Sequence, residues 1–200
     1  MTHPITGRRT GLASAARKAI RALNGANVPY CIVGAAALAA RGLPRMTADL
    51  DVAVLIDDAP RAWAALREAG FEASTPTGTK DDPESMVVFV DSDSNIDVDL
   101  LVAAGDPEAT AIDEAKPAVL FDLEAPIATL EHLLLLYLYS NQPKHLGDFA
   151  SIVQSERVDL ARAERILSVM HPEMLPEWKQ RVSYAKNPPP PPEKPPARRR

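Results

Sequence analysis

The chain has 200 residues, 46% hydrophobic and 24% charged, enough for one compact domain or one domain with a small helical appendage. A formal net charge of -5 excludes a general polyanion-binding surface, so any nucleic-acid contact must come from a local patch. The single cysteine, Cys31, excludes an intrachain disulfide and a thiolate metal site, and fits a reducing, intracellular setting.

In chain order, residues 9–24 place Leu12, Ala16, Ile20 and Leu23 at helical spacing and close at Asn24-Gly25. This start has no apolar leader run, so no signal peptide is expected. "VPYCIVG" predicts a short buried strand ending at Gly34, and "AAALAARG" a helix stopped by Gly42 and Pro44. "DLDVAVLI" predicts a strand with acidic outer positions. "DDAPRAWAALREAG" predicts a helix with an aspartate cap, a proline in its first turn and a closing glycine. Then come a strand "FEAST", a turn-rich loop at 76–84, strands "SMVVFVD" and "NIDVDLLVA", and a final strand in "KPAVLFDLE". From Thr129 the pattern turns helical, with helices expected at 129–140, 144–155, 159–170 and 172–186. The apolar run "LLLLYLY" at 133–139 is too short to cross a bilayer, so a soluble, cytoplasmic protein with no membrane partner is expected. The expected division is an α/β core over 1–125, a helical region over 126–186 and a disordered Pro/Arg-rich tail over 187–200. The tail's Arg198, Arg199 and Arg200 offer a weak tether for nucleic acid or an anionic partner.

The chemistry centres on two acidic strands. Residues i and i+2 of a strand share a face, so Asp49 and Asp51 project together, roughly 7 Å apart along the rise. Leu50, Val52 and Val54 point the other way and hold the strand on the core. Two such carboxylates repel unless protonated or bridged by a cation, and an oxygen-only donor set suits magnesium or manganese. Taken alone, the pair also fits a solvated strand face. "NIDVDLLVA" repeats the device, with Asp97 and Asp99 alternating with Ile96, Val98 and Leu100. If the strands are neighbours, one of these two joins Asp49 and Asp51; Asp99, whose strand runs on into "LLVA", is favoured. Three carboxylates form the usual scaffold for two-metal phosphoryl transfer, and the third can also accept the nucleophile's proton. Gly34 sits between a strand and a helix, where backbone N–H groups approach a ligand closely. Arg41, Arg45 and Thr47 lie between Gly34 and the acidic strand, within reach of phosphate oxygens or simply on a basic, solvated loop.

Gly34-Ala35, thirteen intervening residues and then "DLDV" resemble the signature of the DNA polymerase β-like nucleotidyltransferase superfamily. The fuller run "IVGAAALAARGLPRMTADLDVAV" is similar to its AbiEii-like branch, as are the later "VDLL" strand and "TLEHLLLLYLYSNQPKHLGDFASIV". The resemblance implies a mixed sheet flanked by helices and a magnesium- or manganese-bound nucleoside triphosphate. Asp49, Asp51 and Asp99 would hold the metals. Gly34 and Ala35 would meet the triphosphate, with Arg45 and Thr47 beside it and Lys144 and Asp148 brought in from a helix. The implied reaction is attack of an acceptor hydroxyl on the α-phosphate, on RNA such as tRNA, on protein or on a small molecule, in a toxin–antitoxin or phage-defence setting with a cognate partner protein. Two positions depart from the pattern. Ala35 replaces a glycine or serine, and Tyr137 falls where the branch carries a helical lysine; Lys144 or His145 is placed to compensate. These departures leave open a non-catalytic nucleotidyltransferase-fold module serving as sensor or protein partner, and the same fold also serves aminoglycoside-type modifiers.

Overall fold

The structure is a computed structural model that describes residues 6–74, 86–103 and 105–188. The elements are α1 (Thr6–Gly25), β1 (Tyr30–Ile32), α2 (Gly34–Ala40), β2 (Leu50–Leu55), α3 (Ala59–Glu68), β3 (Phe71–Ala73), β4 (Met86–Asp91) and β5 (Asp97–Ala103). They continue with α4 (Asp106–Asp113), β6 (Lys116–Leu120), β7 (Leu123–Ile127), α5 (Leu130–Leu138), α6 (Pro143–Gln154), α7 (Leu160–Met170) and α8 (Leu175–Lys186). A single 3-10 turn, Pro172–Met174, leads into α8. The loop expected at 76–84 and the tail beyond residue 188 lie outside the described residues.

The seven strands form one mixed sheet in the order β3-β4-β5-β2-β1-β7-β6. β2 runs antiparallel to β1 and parallel to β5, while β1 runs parallel to β7. This is the mixed sheet flanked by helices expected from the sequence. Leu50, Val52 and Val54 are fully buried, each contributing roughly 1.5–3 kcal/mol of hydrophobic stabilisation. One continuous cluster of buried residues reaches from Ala15 in α1 to Ala185 in α8 and includes Leu133, Leu134, Ile152 and Leu167 of the helical region. No helix among the described residues is long and apolar enough to cross a membrane.

Two elements differ from the sequence expectation. The stretch 116–124 is not one strand but the start of a hairpin, β6 and β7, paired from Lys116↔Ile127 to Leu120↔Leu123. Its two-residue turn is Phe121-Asp122, both at positive φ (49° and 63°), the geometry that matches strand twist but normally selects Asn or Gly. Helix α4 is the other. It is only eight residues long, opens with Gly105 and Pro107, and buries little beyond Pro107, Ala111 and Ile112, so it lacks a readable apolar stripe. It packs on β2 and on α5.

Three local features position the site. Gly34 starts α2 directly from β1, with φ at +60°. The Val33 N–H donates to the Asp51 carbonyl at 3.0 Å, locking the end of β1 to the start of β2. Thr129 caps α5, its hydroxyl accepting from the His132 N–H and lying 3.0 Å from His132 Nδ1.

Candidate active site

The parallel register of β2 and β5 pairs Asp51 with Asp99 directly. Paired positions on neighbouring strands share a face, so the two carboxylates stand side by side. Asp49, expected at the start of the strand, lies instead in the bend just before β2, where its charge still acts on both. Asp97 lies two residues before Asp99 on the same face but is exposed to solvent. Leu50 and Val98 are paired on the opposite face and fully buried. Burial pushes the Asp51 carboxyl up to about 6, helped by the negative charges of Asp49 and Asp99 and opposed by Lys144 and Arg45. Asp99 is also raised, first by burial and then by Asp49 and Asp97, against the pull of Lys144. Lys144 is solvent-exposed in the first turn of α6, and its charge acts on both half-buried carboxylates.

Gly34 forms the wall of this cluster. A Cβ at that position would fall 2.0 Å from Asp51 Oδ2 and 2.7 Å from its Cγ, and the positive φ already disfavours any side chain. The residue is therefore glycine for two independent reasons, and its backbone lies against a carboxylate. Ala35 follows and is buried, with 1% of the residue exposed.

The loop between α2 and β2 carries Arg45 and Thr47. Thr47 Oγ1 donates to Asp49 Oδ1 and holds that carboxylate. Among the described residues, no three acidic, histidine or cysteine side chains converge closely enough to make a preformed metal centre. Arg45 Nε donates to both carboxylate oxygens of Asp148, at 2.9 and 3.0 Å, and its Nη1 donates to the Met46 carbonyl at 3.1 Å. Asp148 lies on α6 and is buried, so this pair ties the loop to the helical region. The pairing spans 103 positions and left no local signal in the sequence.

Not every basic residue between Gly34 and the acidic strand faces the site. Arg41 donates instead to the carbonyls of Ala128, Lys116 and Ile127, at 3.1, 2.9 and 2.6 Å, and so fastens α2 to the β6–β7 hairpin. Tyr137, on α5, is buried and its hydroxyl has no hydrogen-bond partner among the described residues. Its ring stacks on His145 with centroids 4.9 Å apart. A groove of about 560 Å³ beside Trp63, Phe71 and Glu72 is a different feature. Trp63 packs edge-on against Phe89, which is paired with Val98, so the groove belongs to the sheet face opposite the carboxylates.

No family model and no curated protein matches this sequence. Its fold, however, is similar to that of solved structures of the antibiotic-resistance factor ANT(2'')-Ia. The solution structure of that protein is 16% identical, with a TM-score of 0.57, over 84% of this chain and 95% of that one. A crystal structure of ANT(2'')-Ia in complex with adenylyl-2''-tobramycin is 17% identical, with a TM-score of 0.56, over 80% of this chain and 97% of that one. The chain thus shares the fold of ANT(2'')-Ia, and nearly the whole length of that protein has a counterpart in it.

Proposed function

We propose that this protein is a metal-dependent nucleotidyltransferase that moves a nucleoside monophosphate from a nucleoside triphosphate to an acceptor hydroxyl. The observation that carries this reading is the side-by-side pairing of Asp51 and Asp99, beside Asp49 and against the Gly34 wall. Burying like charges together is costly, and a divalent cation offsets that cost. The donors are all carboxylate oxygens, which fits magnesium or manganese. Asp49, Asp51 and Asp99 would hold the ion, with Thr47 releasing Asp49 to do so. When bound, it would neutralise charge on the phosphates and on the attacking and leaving oxygens.

The protein's own groups have distinct parts in this scheme. Asp99, made more basic by burial, accepts the proton of the acceptor hydroxyl as its oxygen bonds to the α-phosphorus. The bond to the β-phosphate breaks and pyrophosphate leaves. The Gly34 and Ala35 backbone, Arg45, Thr47 and Lys144 bind the triphosphate, and Asp148 orients Arg45. Positioning and charge neutralisation supply most of the rate. Residues 1–125 carry the catalytic groups, and 126–186 deliver Lys144 and Asp148. A cytoplasmic location fits the single reduced cysteine.

For the acceptor, the likeness to a protein solved with adenylyl-2''-tobramycin supports a small hydroxylated molecule. The AbiEii-like run from Gly34 to Asp51 supports a second reading, transfer to tRNA or protein within a toxin–antitoxin or phage-defence pair. Ala35 and Tyr137 favour a weak or selective enzyme, and at the extreme a nucleotide-binding partner module. Pyrophosphate release tests these readings together. It is measured with each of the four nucleoside triphosphates, magnesium or manganese, and aminoglycosides, polyols, tRNA or proteins as acceptors. Release should require an acceptor and vanish in Asp49→Asn while the circular dichroism spectrum stays unchanged. No release in any combination would overturn the catalytic reading.

A further inference from the structure

The Tyr137 hydroxyl is a donor without a use in the structure as it stands. It is closed off from solvent and has no hydrogen-bond partner among the described residues. Buried hydroxyls are rarely left unpaired, because the donor has given up water and received nothing. The ring cannot easily turn away, since it stacks on His145, whose Nδ1 lies 2.7 Å from Ser140 Oγ. Of the charges that act on the phenol, that of Asp148 is strongest, followed by those of Arg45 and Asp51.

Asp148 is itself buried, and both its oxygens are engaged by one nitrogen of Arg45. Arg45 is partly exposed, on the loop that leads into the carboxylate strand. A triphosphate bound at that strand competes for the guanidinium. If Arg45 turned to phosphate with nothing in its place, a buried carboxylate would be stranded without a donor. The ring stacks on His145, three residues before Asp148 on one face of α6, and burial keeps the phenol protonated, so it is a neutral donor on the side of the helix that carries Asp148.

We propose that Tyr137 is a positioning residue for nucleotide binding, which takes over the Asp148 carboxylate when Arg45 swings from Asp148 to the triphosphate. The proposal rests on the nucleotidyltransferase reading above. Tyr137 touches neither substrate nor metal; it lowers the cost of releasing Arg45.

The test is a cycle of Tyr137→Phe in wild-type and Arg45→Ala backgrounds. In the free wild-type protein the hydroxyl is unpaired, so Tyr137→Phe should leave the melting midpoint unchanged or slightly raised. In Arg45→Ala, Asp148 already depends on Tyr137, so the same change should lower the midpoint by about 3–6 °C. Calorimetry with magnesium and the nucleoside triphosphate that wild type binds best should show about a tenfold loss of affinity in Tyr137→Phe. KM should rise with it, and kcat should change little. A purely structural tyrosine would shift the midpoint equally in both backgrounds, which would overturn the proposal. Normal nucleotide affinity in Tyr137→Phe, against tight wild-type binding, would overturn it alone. Failure of wild type to bind any of the four triphosphates would overturn the proposal and the nucleotidyltransferase reading together.

Discussion

Replacing Asp51 with asparagine should make the metal-free protein more stable at neutral pH while abolishing its activity. Burial and two neighbouring carboxylates push Asp51 up to about 6, from an ordinary 3.8. An acid whose folded pKa is raised contributes stability below the unfolded value, and loses it as pH rises through the folded value. At pH 7.5 Asp51 is ionised in both states, and the folded state then bears the full penalty, about 3 kcal/mol. Asparagine keeps the shape and removes the charge. In a protein of this size, that corresponds to a rise of about 6–12 °C in the melting midpoint. The advantage should fall by about half at pH 5 and disappear near the ordinary carboxylate range, where wild-type Asp51 is protonated whether folded or not. Differential scanning calorimetry in chelator, with both proteins scanned from pH 3.5 to 7.5, measures it. A destabilised Asp51→Asn, or a difference independent of pH, would refute the argument that burial and like-charge repulsion dominate at this position.

Three further outcomes follow from the same geometry. Asp99→Asn should lower the transfer rate by about 10²–10⁴-fold, the usual worth of a positioned general base, whereas exposed Asp97→Asn should cost a few-fold at most; steady-state kinetics separates them. Gly34→Ala should destabilise by more than the roughly 1–2 kcal/mol of a non-glycine at positive φ, because the new methyl meets Asp51 Oδ2 at 2.0 Å. In an Asp51→Ala background most of the excess should disappear, since only the Cβ at position 51, 3.1 Å away, stays close; urea unfolding of the four proteins would reveal it. Magnesium or manganese should raise the wild-type melting midpoint at pH 7.5 more than at pH 5, where protons compete for Asp51 and Asp99, and should not raise it in Asp51→Asn.

The acidic strands were legible because a strand's period of two is written directly in "DLDVAV" and "DVDLLV", with buried aliphatics alternating against the charges. What local patterning could not state was their register. Asp51 meets Asp99 only because the α3–β3–β4 excursion returns the chain to β2 in parallel. The same limit applies to Arg45 and Asp148, whose pairing joins distant segments. Arg41 looked equivalent to Arg45 in sequence, yet it satisfies two strand carbonyls and that of Ala128 just beyond β7, a demand created by the hairpin end and visible only once the sheet is built. That hairpin was hidden because its left-handed turn, Phe121-Asp122, opens on a phenylalanine where Gly, Asn or Asp usually announces one. Helix α4 escaped because eight residues with three buried positions carry too little period to read.

The most direct measurement uses one nucleoside triphosphate labelled in turn on its α- and γ-phosphate, incubated with the protein, magnesium or manganese, and a mixture of small hydroxylated acceptors, tRNA and protein. The α-label should become covalently attached to one acceptor class and the γ-label should leave as pyrophosphate, with both events lost in Asp49→Asn. Transfer of the γ-label, or no transfer of either label from any of the four triphosphates by the folded protein, would contradict the assignment of Asp49, Asp51 and Asp99 to nucleotidyl transfer.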